Sequence, residues 1–427
     1  MLTSGRRTRQ AGLIGPLLAA AGLAMAADQP QWGRQYSRNM VSDETNLPGE
    51  FDPATGKNVK WAVALGANTY ASPIIAAGRV FVGTNNERPR DPRHKGDRGV
   101  LLCLDEKTGK LAWQLVVPKV PGHPLIDWPR SGICSEPTVE GGRVYVVTNR
   151  AEVMCLDIHG LANGNDGPFR DEERLLTPPG KEPIALGATD ADILWVFDMP
   201  KEVGMNRHDG AHCSPLLHGR YLYVNTANGL DVKHTHIPAP EAPSLIVLDK
   251  ATGRLVAQDG ERIGPRIFHC SWSSPSLGHV RSRPLVFFGG GDGVCYAFEA
   301  LGGDPPARRP ATLRRAWSFD CDPNAPKENV HQYIRNSRVS PSNIFAMPVY
   351  VDGRVYVVAT GDLWWGKHSA RIQCVDATKT GDVTRSAELW SFQMRRACST
   401  PAVSGGLVFV LDGQYSCQEA GSAYGPW

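Results

Sequence analysis

The chain has 427 residues, 41% of them hydrophobic, with 46 Lys and Arg against 43 Asp and Glu, 45 Gly, 33 Pro, 11 Trp and 10 Cys. This excludes collagen, a coiled coil, a disordered tail and a small disulfide scaffold, each of which needs a far more biased composition. The Gly and Pro content means many turns and favours an all-β chain, and the near balance of charge argues against nucleic acid as a partner, because phosphate binding draws on clustered cations.

Residues 1–26 carry Arg6, Arg7 and Arg9 and no acid, then an apolar run from Ala11 to Leu23, then Ala24-Met25-Ala26. A basic head, a short apolar stretch and an A-x-A end predict a secretory signal peptide cleaved after Ala26. Arg6-Arg7 has the form of a twin-arginine address, but Thr8, Arg9 and Gln10 stand where apolar residues usually follow, which favours the general export route. No cysteine ends the apolar run and no later segment is apolar enough to span a bilayer, so the expectation is a periplasmic or secreted protein without a membrane anchor. Residues 27–54 then form a lead-in and residues 55–427 one repeat domain.

The repeat begins with a small or polar residue and Pro, two apolar residues, a turn, Gly-Arg and a β-branched and aromatic run. It reads Ser72-Pro73 to Gly78-Arg79-Val80-Phe81-Val82, Glu136-Pro137 to Gly142-Arg143-Val144-Tyr145-Val146, and Ser214-Pro215 to Gly219-Arg220-Tyr221-Leu222-Tyr223. Three further copies start at Ser274-Pro275, Met347-Pro348 and Thr400-Pro401. Each predicts two strands joined by a tight turn. A second element, Leu104-Asp105 with Thr108-Gly109 and Leu248-Asp249 with Thr252-Gly253, predicts a turn between a third and a fourth strand, where Gly supplies the positive φ and Asp bonds its own backbone. Four strands per repeat describe a propeller blade. Trp61, Trp113, Trp195, Trp317 and Trp390 mark the fourth strand and are expected to wedge between neighbouring blades.

These motifs resemble the pyrroloquinoline-quinone (PQQ) repeat of quinoprotein-type β-propellers, over about residues 55 to 410. The resemblance implies a propeller of four-stranded blades, six of them recognisable and six to eight in all. The family includes exported propellers of unassigned activity, quinone-dependent alcohol dehydrogenases and an outer-membrane assembly lipoprotein. For the dehydrogenases it implies PQQ with calcium, the quinone held against a ring of two adjacent disulfide-bonded cysteines. This sequence has no Cys-Cys pair and no Cys-x-x-Cys-His haem motif. The sixth repeat breaks off after Val408-Phe409-Val410, so either the segment from Trp32 to Trp61 supplies closing strands or the chain is truncated.

Cys103, Cys155, Cys295 and Cys374 fall in the third strand, and Cys134, Cys213, Cys270 and Cys398 just before the first. Repetition in register reads as small buried hydrophobes, not disulfides. His212-Cys213 and His269-Cys270 have metal-ligand chemistry but no spacing of a known zinc type, so no metal site is expected.

Long links gather on one face: the connections between blades and the turns Asn85 to Gly99, Asn228 to Ser244 and Gly361 to Ala370. Long loops on a rigid scaffold are where binding concentrates. The ligand-binding candidates there are Asp127, Arg130, Arg207, His208, Asp209, Asp231, Arg335, Arg338, Asp362, Trp364, Trp365 and His368, with Trp128, His234 and His236 beside them. Arg for carboxylates and Trp for flat rings suit a small molecule, a glycan or a protein partner. No hydrolase nucleophile or phosphate-loop motif is present. The expected function is a ligand-binding or interaction scaffold, with a PQQ-dependent alcohol or sugar dehydrogenase and an envelope-assembly docking protein as the alternatives.

Overall fold

The computed structural model describes residues 28–304 and 309–413; residues 1–27, where the sequence predicts a signal peptide, and residues 305–308 and 414–427 lie outside them. In the first blade β1 (Ile74–Ala76), β2 (Arg79–Asn85), β3 (Arg98–Asp105) and β4 (Leu111–Pro118) pair antiparallel in that order. The second repeats the order with β5 (Thr138–Glu140), β6 (Arg143–Val147), β7 (Glu152–Asp157) and β8 (Ile193–Asp198). The third holds β9 (Leu216–His218), β10 (Tyr221–Asn225), β11 (Leu245–Asp249) and β12 (Leu255–Gln258).

In the fourth, β13 (Ser276–Val280), β14 (Arg283–Gly289) and β15 (Val294–Glu299) are completed by β17 (Arg315–Asp320), while the intervening β16 (Ala311–Thr312) adds to the third sheet beside β12. The fifth contains β18 (Val349–Val351), β19 (Arg354–Thr360), β20 (Ser369–Asp376) and β22 (Glu388–Arg395), with β21 (Gly381–Asp382) lent to the fourth sheet beside β17. β23 (Ala402–Ser404) and β24 (Leu407–Phe409) form a sixth, two-stranded sheet among the described residues. The fold is the expected all-β propeller of four-stranded blades.

The Asp-Thr-Gly turns form as the repeat predicts. Asp105 accepts from the Thr108 amide and hydroxyl, and Gly109 takes a φ of 69°. These turns receive the tryptophan of the preceding blade. Trp113 lies on Gly160 and donates its indole N–H to Ile158 O at 2.8 Å, and Trp195 lies on Gly253 and donates to Lys250 O at 3.2 Å. A Cβ at Gly253 would stand 2.5 Å from the Trp195 ring, so a side chain there would expel the wedge. Trp317 donates to Ala377 O in the fifth blade. Trp61 makes the same contact with Glu106 O from an irregular stretch, not from the strand the sequence predicts.

The lead-in does not add a strand to a blade's outer edge. Residues 29–39 cross the innermost strands of the sheets. Gln29 bridges Ile75, Val139 N–H donates to Pro30 O, Leu277 N–H to Tyr36 O and Tyr350 N–H to Ser37 O. Asn39 exchanges two side-chain hydrogen bonds with Val403. Arg38 is fully buried and donates to the carbonyls of Trp32, Ser214, Pro215 and Pro275. The innermost strand of a blade has an unpaired edge, and this segment bonds to it in the first, second, fourth, fifth and sixth sheets, while Arg38 reaches the residues just before β9 of the third.

Cys103, Cys155, Cys213, Cys270, Cys295, Cys321 and Cys374 are buried thiols. Burial pushes Cys103, Cys155 and Cys213 each up to about 12. We expect these seven to stay unreactive to a thiol reagent in the native protein and to appear on unfolding without reductant; their absence from the unfolded count would overturn the buried-hydrophobe reading.

Candidate functional site

The long connections lie on one face as expected, and those of the third, fourth and fifth blades converge. His208 and Asp209 come from the link between β8 and β9, His234 from the β10–β11 loop, His269 and Trp272 from the link between β12 and β13, and Asp362, Trp364 and Trp365 from the β19–β20 loop. Backbone pairing pulls these segments together. Gly229 and Cys270 form an isolated bridge, Leu230 N–H donates to His269 O, and the Asn206 amide donates to Gly229 O and Leu230 O. Glycine is required at 229, since a Cβ would stand 2.6 Å from Cys270 Sγ and 2.8 Å from His208 Cβ. Asp209 and His234 both adopt left-handed backbone, with φ of 59° and 58°, a conformation that accumulates at functional sites.

At the centre, His208 Nε2 and His234 Nε2 are 3.1 Å apart. His269 Nδ1 is 2.9 Å from Asp362 Oδ2, whose other oxygen accepts from the amides of Trp364 and Trp365. Asp209 lies between, 3.5 Å from His269 Nε2 and 3.8 Å from His208 Nε2. Trp364 meets His269 edge to face at 5.6 Å, Trp365 packs on His234 at 4.8 Å, and the Arg335 guanidinium lies 5.3 Å over the Trp365 ring.

Burial, with the neighbouring imidazoles adding to it, lowers His208 to about 3 and His234 to about 4, so both are neutral at neutral pH with a lone pair available. His269 is raised although burial opposes it, because the Asp362 carboxylate outweighs that penalty. Asp209 is raised to about 6 by burial, with Asp362 adding to it and His269 opposing.

Of the predicted residues, His208, Asp209, Arg335, Asp362, Trp364 and Trp365 assemble here, and the others do structural or separate work. Asp127 is buried in its own loop, pairing with Lys119 and accepting from Val120 N and Asn149. Arg130 is exposed and pairs with Glu87. Arg207 lines a different cleft of about 880 Å³ with Lys119, Arg150, Arg174 and Lys181. Asp231 accepts from the amides of Lys233, Thr235 and His236; burial opposes its charge, but these donors outweigh it and hold the carboxyl at about 2. Arg338 and His368 are exposed; the Arg338 amide donates to Asn336 Oδ1 and the His368 amide to Ser337 O.

His269 and Trp272 are the members missing from the predicted set. The signal for His269 was present: the His-Cys pair ahead of the first-strand Pro occurs in both the third and the fourth blades.

The calcium-held binding mode of the quinone in the resembling dehydrogenases fits this site poorly. Three imidazoles converge with only two carboxylates, whereas calcium takes six to eight oxygens, and the adjacent-cysteine ring has no counterpart.

A family model described as "Outer membrane protein assembly factor BamB" matches residues 49–162, the first blade and most of the second. The repeat read from the sequence is therefore of the PQQ-like kind that this model describes. Comparison with the curated proteins gives no match. Among solved structures, BamB from Moraxella catarrhalis is similar at 13% identity and a TM-score of 0.40, over 81% of this chain and 70% of that one. A quinohemoprotein alcohol dehydrogenase from Comamonas testosteroni is similar at 13% identity and a TM-score of 0.46, over 90% of this chain and 70% of that one. No helix among the described residues is long and apolar enough to cross a membrane.

Proposed function

We propose that this chain is an exported binding propeller whose ligand, a small planar molecule bearing a carboxylate, sits on the long-loop face against Trp364 and Trp365. The observation that carries the reading is the convergence of loops from three successive blades on one polar and aromatic cluster. The half-buried Trp pair offers a stacking surface, and exposed Arg335, held over Trp365, places a cation at its rim. Nothing in this reading requires turnover, and the dehydrogenase alternative lacks its quinone-holding cysteine ring.

The test uses pyrroloquinoline quinone, a planar polycarboxylate, and a simple aromatic dicarboxylate as probes, with tryptophan fluorescence as readout. Saturable quenching that needs no calcium and weakens in Trp365→Ala and Arg335→Ala is expected. No saturation with either probe would overturn the reading, and binding of the quinone only with calcium would favour the dehydrogenase.

The docking alternative draws on the family model over residues 49–162 and on β22, where Leu389, Trp390 and Phe392 are exposed. A photo-crosslinker at position 392 that captures one protein in the intact envelope would support it; only self-crosslinks would not.

A further inference from the structure

We propose that His208, His234 and His269 form a binding site for one borderline divalent transition metal of the zinc type, with Asp209 in reach as a fourth ligand. The inference deepens the ligand-site reading and rests on it only for the place of the site.

Geometry makes the first argument. Metal–nitrogen bonds of about 2.0–2.1 Å put two adjacent ligand nitrogens roughly 3.0–3.4 Å apart, and the Nε2 atoms of His208 and His234 are 3.1 Å apart. The donor atoms of all three histidines fall within 4.8 Å of one another, and half-buried His234 on its loop has room to adjust.

The second argument is an orphaned atom. His269 is 1% exposed, and its buried Nε2 makes no hydrogen bond, with Asp209 Oδ2 3.5 Å away. Its Nδ1 is committed to Asp362, which the Trp364 and Trp365 amides pin in turn. A carboxylate on the far nitrogen is how proteins orient a metal-bound imidazole and fix its tautomer. Nε2 is thereby left as a lone-pair donor aimed into the cluster.

Charge supplies the third argument. Two carboxylates, Asp209 and Asp362, lie within 4 Å of a single imidazole, that of His269. Arg396 is nearby but donates to the main-chain carbonyls of Asp362 and Leu363, and Arg335 lies over Trp365. A dication between the imidazoles and Asp209 would neutralise the second carboxylate. Nitrogen donors with one carboxylate select zinc, copper, nickel or iron over calcium and magnesium.

A second group, Asp91, His94 and Asp190, also has ligand spacing, but Arg93 already pairs with both of its carboxylates. It carries no such inference.

The test uses the mature protein stripped with a chelator, dialysed and titrated with Zn²⁺ and Co²⁺. One equivalent per chain is expected, with visible ligand-field bands of a nitrogen-rich site in the Co²⁺ form. Affinity should fall by about 100-fold or more in His234→Gln and by about 10- to 100-fold in Asp362→Asn. It should be unchanged in His159→Gln, an exposed histidine in the turn after β7. His234→Gln should keep the metal-free unfolding midpoint, which separates loss of a ligand from loss of the fold. Failure of the wild type to bind either ion at one equivalent, or undiminished binding by His234→Gln, would overturn the proposal. If the carboxylate probes still bound in that case, the ligand-site reading would stand without the metal.

Discussion

Arg38→Met is expected to lower the free energy of unfolding by about 3–5 kcal/mol, since it strips the donor from several buried carbonyls, each costing about 1–3 kcal/mol when left unpaired. The guanidinium ties the lead-in to the carbonyls of Trp32, Ser214, Pro215 and Pro275, at 2.8–3.1 Å. Burial lowers its pKa to about 10, offset in part by Cys213 and Glu136, so it remains charged at neutral pH. A methionine fills the space but leaves carbonyls of the lead-in and two blades without a donor. Arg38→Lys should fall between the two, because one ammonium cannot serve carbonyls spread around a planar fork. Urea unfolding of the three proteins checks this. A loss below about 1 kcal/mol in Arg38→Met would mean that the lead-in does not anchor the innermost strands.

Trp113→Ala is the second large effect, expected to cost about 3–5 kcal/mol as a core aromatic truncation. The ring is wholly buried between the first two blades, and its N–H bonds the neighbouring turn at Ile158 O. Trp390 occupies the corresponding place on β22 but is 40% exposed, and Leu389 and Phe392 beside it are exposed too. Trp390→Ala should therefore cost less, on the order of 2 kcal/mol, since part of its ring is already in water. Equal losses at the two positions would refute the idea that docking on the next blade's turn gives this tryptophan its stabilising role.

Most of the fold was legible because the propeller repeats local chemistry. Gly-Arg turns, alternating apolar strands and Asp-Thr-Gly turns act within a few residues, so each copy announces itself. The tryptophans were legible for the same reason, although the strand assignment at Trp61 was not, because a docking contact does not require a strand. Arg38 escaped notice: its four carbonyl partners include three that lie 176 to 237 residues away. No local pattern encodes such a contact.

The loop face followed from loop lengths, and about half of its predicted residues meet in one cluster. Asp127, Asp231 and Arg207 have the same polar character as Asp209 and Asp362, and composition cannot separate a carboxylate that caps its own loop from one aimed at a shared centre. That distinction depends on which loops lean together, here settled by the Gly229–Cys270 bridge and the Asn206 bonds. By itself the sequence determined the blades, their turns and the face that carries long loops, because those depend on short-range periodicity. Only the tertiary structure decided that residues 29–39 cross the innermost strands and that three histidines from separate loops meet in one cluster, because both arise from pairing between segments far apart in the chain.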